Sequence, residues 1–462
     1  MTTRPLPSAT PASQGVDASG LHAFLDALEA DPDIEPHSLM IMRHGRLVAS
    51  GWWAPYTAER PHLMYSLSKS FTSTAAGFAV AEGLLRLDDP VLSYFPELDS
   101  EITDPRCRAM LVRHVASMAS GHEADTVERA HALDPSDLVR GFLLLPPERD
   151  PGTVFAYNQP ATFTLGAIVQ RISGQTLTDY LRPRLFDPIG IGETAWLRDR
   201  SGRELGFSGL HVTTDAVARL GQLYLDRGMW DGRRVLPESW VAEASRPWIP
   251  TRDAPVSGED WRQGYGLQFW GSRHGYRGDG AYGQFCVVLP EHDAVIATTA
   301  ATVQMQRMLE LAWTHLLPAF GPDPLPGREA ADAALAERLA ALALPPAPGK
   351  ATAEDRPAVV LGSGATTLEV DGERLTLVQN GHRLQLRLRQ GGWSVAEEPV
   401  PTAVSGGWTD ADTLEAEVIF LETPHRLALT GSRADRTLET RWRTEPLHHR
   451  PLHTMGAPRR SV

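Results

Sequence analysis

Apolar positions recur with a 3.6-residue period over residues 21–28, which predicts a helix after a polar arm at 1–20. The period then shortens to two. Residues 38–43 and 46–50 flank His44-Gly45, predicting a hairpin closed by Trp52 and Trp53. Those tryptophans suit either a cleft wall or the core. Residues 66–82 mix small side chains with Phe71 and Phe78 on every side, so the spacing predicts a helix buried all round, with Gly83 as its C-cap. From 84 to 206 the pattern is helices and loops. Its clearest helices are 113–121 and 162–172, the second punctuated by Pro160 and Gly174. Two more helical stretches surround the loop 228–232. Strands are predicted at 265–270, 283–289 and 294–299, then a helix over 305–317.

Strands at both ends with helices between them predict an α+β domain over 21–320, its antiparallel sheet assembled from both ends of the segment. Residues 321–350 read as a linker holding a short Ala/Leu/Glu helix between two proline clusters. From 351 to 447 the alternation is strict around Asp371-Gly372 and Asn380-Gly381, predicting a small all-β domain, a barrel or curled sheet. The tail 448–462 is basic and is expected to be flexible. Its His448, His449 and His453 lack a metal-binding spacing.

The chain has 462 residues, enough for two cores. A formal net charge of -13 argues against nucleic acid and anionic membrane as partners. Residues 1–7 lack the apolar stretch of a secretory signal, and no later run is long and apolar enough for a bilayer. With only Cys107 and Cys286, the chain suits a reducing, cytoplasmic setting. Oligomeric state is not legible.

One count changes the picture. Of the 44 basic residues, two are lysines, Lys69 and Lys350, and the other 42 are arginines. Arginine cannot shed its proton in a protein, whereas lysine can. Lys350 sits in the Pro/Gly linker. Lys69 lies in an apolar helical segment, three residues after Ser66, which puts both side chains on one helix face. Acid–base chemistry is the natural use of such a lysine.

The sequence around the pair is similar to the serine β-lactamase and penicillin-binding-protein superfamily, closest to its class C-like branch of esterases and hydrolases. The residues that carry the resemblance are Ser66-Leu67-Ser68-Lys69, Asp88-Asp89-Pro90, Tyr94-Phe95-Pro96-Glu97, His114 to Gly121, and Pro151-Gly152 with Tyr157. It spans roughly residues 20–320. It implies a β-lactamase-like antiparallel sheet flanked by helices plus a helical subdomain. The β-rich remainder resembles accessory domains of some members, certain of them lipocalin-like.

The resemblance implies a metal-free and cofactor-free serine hydrolase acting on a small ester, amide or peptide. Ser66 would be the nucleophile, Lys69 the activating base and Tyr157 the proton relay to the leaving group. Either the amine or the phenolate could accept the serine proton, in coupled titrations. The N–H groups of Ser66 and Ala281 would form the oxyanion hole. The family's second motif is usually Tyr-x-Asn; here Gln159 holds the amide slot and Asn158 offers a second amide. The third motif usually carries a cation, but its slot holds Gly278-Asp279-Gly280, with Arg277 or His274 as nearby substitutes. Loss of that cation puts carboxylate recognition, and with it β-lactam specificity, in doubt. Two other uses of the same centre are transfer of the acyl group to an amine or alcohol, and binding without turnover.

Overall fold

The computed structural model describes residues 4–348, 357–448 and 450–458. Its centre is a six-stranded antiparallel sheet ordered Arg46–Trp52, Glu35–Arg43, Ala294–Ala301, Gln284–Leu289, Tyr276–Gly280, Trp270–Gly271. The first hairpin thus pairs with a strand some 260 residues later through Ile41 opposite Ile296, as a sheet built from both ends requires. Helices Ala18–Ala30 and Met305–His315 cover one face, and Thr214–Leu225 the other. Together with the helical region between them, these elements form the β-lactamase-like domain.

Several local expectations are corrected. Residues 265–270 do not form a continuous strand, because Gln268 has φ 66° and turns the chain. Its side chain then donates to the Ala116 carbonyl (2.7 Å) and accepts from Thr162 (2.7 Å), tying the turn to two helices. The strand here is instead Tyr276–Gly280, next to the short edge strand Trp270–Gly271, and its Gly278 and terminal Gly280 hide its alternation. The helix predicted at 113–121 stops at Ala116. The arm is ordered where described: Ala9 N–H donates to the Leu47 carbonyl, Val16 is buried, and the helix begins at Ala18. Trp53 belongs to the core, its indole N–H donating to Glu29.

Beyond the sheet, the helix Glu329–Ala340 docks on the same core through Leu335 and Leu339. The C-terminal domain consists of a four-stranded and a five-stranded antiparallel meander, from Val359–Ser363 to His382–Arg387 and from Ser394–Ala396 to Thr437–Trp442. Alternate leucines of the first (Leu368, Leu375, Leu377) pack against Val418 and Leu429 of the second. Ala403, Ile419 and Leu421 also join the core under the first domain's sheet, so the two domains share apolar packing. The flexible-tail expectation is corrected over 450–458, where Leu452 and Met455 are buried in this β-domain. His449 and Lys350 lie outside the described residues. No helix among those described is long and apolar enough to cross a membrane.

Candidate active site

The helix Ser68–Ala81 explains itself through its hydroxyls. Every residue from Ser68 to Ala79 is buried, which demands a partner for each polar side chain. Ser70 and Ser73 donate to the carbonyls of Gln268 and Leu267, and Thr72 to that of Gly206. Ser68 accepts from the Leu210 N–H. An all-round buried helix is thereby stitched to the loops about it, and its first turn is held firmly. Ser66 sits just before, in the 3-10 turn Tyr65–Leu67, where leading N–H groups have no acceptor within the helix.

Lys69 is 1 % exposed, and its side-chain nitrogen has three oxygen partners. Nζ lies 3.0 Å from Ser66 Oγ, 2.7 Å from Gln159 Oε1 and 2.8 Å from the Phe207 carbonyl. Neither the amide oxygen nor the carbonyl can donate. Both therefore accept N–H bonds from the lysine nitrogen, with Ser66 Oγ as its third partner, so an amine that has shed its proton would turn its lone pair to that hydroxyl. Burial pushes the Lys69 pKa down to about 7, against a smaller upward pull from Asp125 and Asp279. Burial thus favours the neutral form of the amine.

Tyr157 completes the group. Its hydroxyl interacts with the Ser66 side chain, its ring stacks on Trp270 at 5.4 Å, and Lys69 Nζ lies 4.6 Å from the ring centre. Burial first, and then the charge of Asp279, push the phenol well above its ordinary range. Ser66, Tyr157, Gln159 and Ala281 are each partly exposed, with Lys69 beneath them. A substrate can touch the first four while the amine stays dry.

The structure separates the other expected residues. Asn158 is buried and faces away, its Oδ1 accepting from the Thr126 N–H and hydroxyl at 2.9 Å. It is a loop brace, which corrects its reading as a substrate contact. Arg277 is also withdrawn: fully buried, it pairs with Asp279 (3.0 Å), donates to the Asp260 and Gly271 carbonyls and lies over Trp261. It is no substitute for the missing cation. His274 packs against Trp313.

The glycines have a steric reason. A Cβ at Gly280 would fall 2.0 Å from the Met64 carbonyl oxygen, and one at Gly278 2.4 Å from Ser70 Oγ. The strand Tyr276–Gly280 touches the nucleophile segment directly, so no cationic side chain fits at either glycine. Gly280→Ala should therefore lower stability by about 1–3 kcal/mol and depress activity further. Thermal melting and ester hydrolysis, measured together, check this.

Sequence reasoning missed the Phe207 carbonyl and Asp125, whose Oδ1 accepts from the Gln159 N–H at 3.1 Å and so fixes that residue. A backbone oxygen leaves no mark in a sequence. The only hints were Gly206 and Gly209, both in the left-handed region that a tight loop needs.

Comparison with known proteins agrees with this geometry. The family model described as Beta-lactamase matches residues 22–319. The 6-aminohexanoate-dimer hydrolase of Paenarthrobacter ureafaciens is 27% identical over 302 residues, covering 59% of this chain and 76% of that protein. A penicillin-binding-protein homolog from Caulobacter crescentus superposes with TM-score 0.53 at 18% identity, over 65% of this chain and 99% of its own. The structure of SurE matches with TM-score 0.52 at 21% identity, over 86% of this chain and 93% of that one, reaching into the C-terminal β-domain. With the matched model spanning well over half of its residues, this chain belongs to the beta-lactamase family and is a serine hydrolase of that type.

Proposed function

We propose that the protein cleaves small esters or amides through an acyl-enzyme on Ser66, with Lys69 as base and Tyr157 as proton relay. The observation that carries this reading is the burial of Lys69 Nζ between two oxygens that can only accept, with the Ser66 hydroxyl as its third partner. Ser66 Oγ attacks the substrate carbonyl carbon while its proton passes to Lys69. The oxygen that gains charge is received by the N–H groups of Ser66 and Ala281. As the C–O or C–N bond breaks, Tyr157 gives its proton to the leaving alcohol or amine and is reprotonated at the expense of the Lys69 ammonium. Water then repeats the attack on the acyl-enzyme, releasing the acid and restoring the Ser66 hydroxyl.

The upward shift of the phenol supports the amine, rather than a phenolate, as the group that takes the serine proton. The commitment of Arg277 to Asp279 supports substrates without a carboxylate at the third-motif position. Two buried thiols, Cys107 and Cys286, neither in a disulfide, suit a cytoplasmic setting.

The direct test is labelling with a fluorophosphonate followed by mass spectrometry of the adduct. Modification of Ser66 is expected; modification elsewhere or none overturns the reading. Product analysis with and without an added primary amine separates hydrolysis from acyl transfer. A pH profile adds a second check. The lowered Lys69 pKa makes the neutral amine the active form, so kcat/KM for a neutral ester should fall about tenfold per unit below pH 7 and level off above it. A profile flat from pH 5 to 8 would exclude a titrating lysine.

A further inference from the structure

The two residues beside the proposed oxyanion donors both have left-handed backbones. Tyr65, which precedes Ser66, has φ 45°, and Tyr282, which follows Ala281, has φ 72°. For an aromatic residue this conformation costs on the order of 1–3 kcal/mol and survives only where the surroundings enforce it. Both phenols run into the C-terminal β-domain. The Tyr65 hydroxyl lies 2.6 Å from His425 Nε2, and the Tyr282 hydroxyl donates to the Glu445 carbonyl at 2.5 Å.

The histidine's tautomer follows from its other nitrogen. His425 Nδ1 lies 2.9 Å from the Thr444 carbonyl, which only accepts, so the ring proton sits on Nδ1. Nε2 is then the acceptor of the Tyr65 O–H bond. Burial holds the imidazole pKa down near 4, in keeping with a neutral ring. The Tyr65 oxygen accepts in turn from the Leu447 N–H at 3.4 Å. The three rings meet edge to face at 5.6–5.8 Å. Just upstream, the Leu63 N–H donates to the Glu422 carbonyl at 2.8 Å. The approach to the nucleophile is thus fastened to the second domain at several points.

We propose that the C-terminal β-domain is a working part of the catalytic centre: His425 and the segment 444–447 clasp Tyr65 and Tyr282, and through them aim the N–H groups of Ser66 and Ala281 at the oxyanion. Tyr65, Tyr282 and His425 are positioning residues, since none need touch substrate. The proposal rests on the reading of Ser66 as nucleophile.

Tyr65→Phe and Tyr282→Phe keep the rings and remove the clasp. Arg60→Gln is the control, because Arg60 pairs with Glu397 across the same two domains through a separate contact. Each protein is assayed with p-nitrophenyl acetate, inhibited with phenylboronic acid, and melted. A boronate becomes tetrahedral on Ser66 and places an oxygen where the oxyanion forms, so its affinity reports the donors' aim. Each tyrosine variant should lose about tenfold or more in kcat with KM within twofold, short of the 10²–10³ typical of deleting a donor. Boronate affinity should fall by the same factor, while Arg60→Gln keeps wild-type kcat. Unchanged kcat in both tyrosine variants overturns the proposal, as does an equal loss in Arg60→Gln, which would mean general loosening. If one variant fails to fold, the other decides. Absence of fluorophosphonate label on wild-type Ser66 is a different failure, that of the hydrolase reading itself.

Discussion

Replacing Lys69 with arginine should reduce ester hydrolysis by on the order of 10⁴-fold or more, about as far as Ser66→Ala. The two losses should be alike because the residues act as one unit. Without the hydroxyl there is no acyl-enzyme; without a neutral amine the hydroxyl keeps its proton. Arginine preserves the charge that surface positions in this chain require, yet it can never present a lone pair. It would also place a planar fork where a compact amine now fits between Gln159 and the Phe207 carbonyl. Steady-state kinetics on p-nitrophenyl esters provide the measurement, with thermal melting to show that the fold persists. Substitution of exposed arginines such as Arg252 should leave the rate within twofold.

The second large effect is expected at Tyr157. Tyr157→Phe keeps the ring that stacks on Trp270 and faces Lys69 Nζ, and removes only the hydroxyl. Loss of a positioned general acid typically costs about 10²–10⁴ in rate. The loss should depend on the leaving group. An activated p-nitrophenolate leaves without help, so its ester should suffer least, whereas an alkyl ester or anilide should suffer most. Equal losses across that series would mean that Tyr157 shapes the pocket without moving a proton.

What the sequence disclosed follows from what sequence can encode. The nucleophile helix was legible because its all-round small and apolar pattern has one structural meaning, and Lys69 stood out against a background of arginine. The hairpin at His44-Gly45 and the meanders of the β-domain were legible through their turns. The strand Tyr276–Gly280 was not, because glycines that let it touch the nucleophile helix also erase its alternation. The apparent strand at 265–270 misled for the opposite reason: alternation was present, but a left-handed Gln268 bends the chain there.

The site divides along the same line. Ser66, Lys69, Tyr157 and Gln159 are side chains in recognisable spacings, and the fold brings them together. Asn158 and Arg277 carry suitable chemistry at suitable positions, yet buried partners in the loop and strand claim them. The Phe207 carbonyl and the clasp from residues 444–447 depend on contacts between distant segments. Local pattern cannot express those.

The scarcity of lysine makes the central claim directly measurable. Protein grown on lysine labelled with ¹³C at the ε-carbon should give two side-chain signals, assigned through Lys350→Arg, and each can be followed by NMR across pH. The Lys69 signal should titrate near pH 7, as burial dictates. A Lys69 midpoint near the ordinary lysine value of about 10.4 would contradict a neutral amine beside Ser66 and the mechanism built on it.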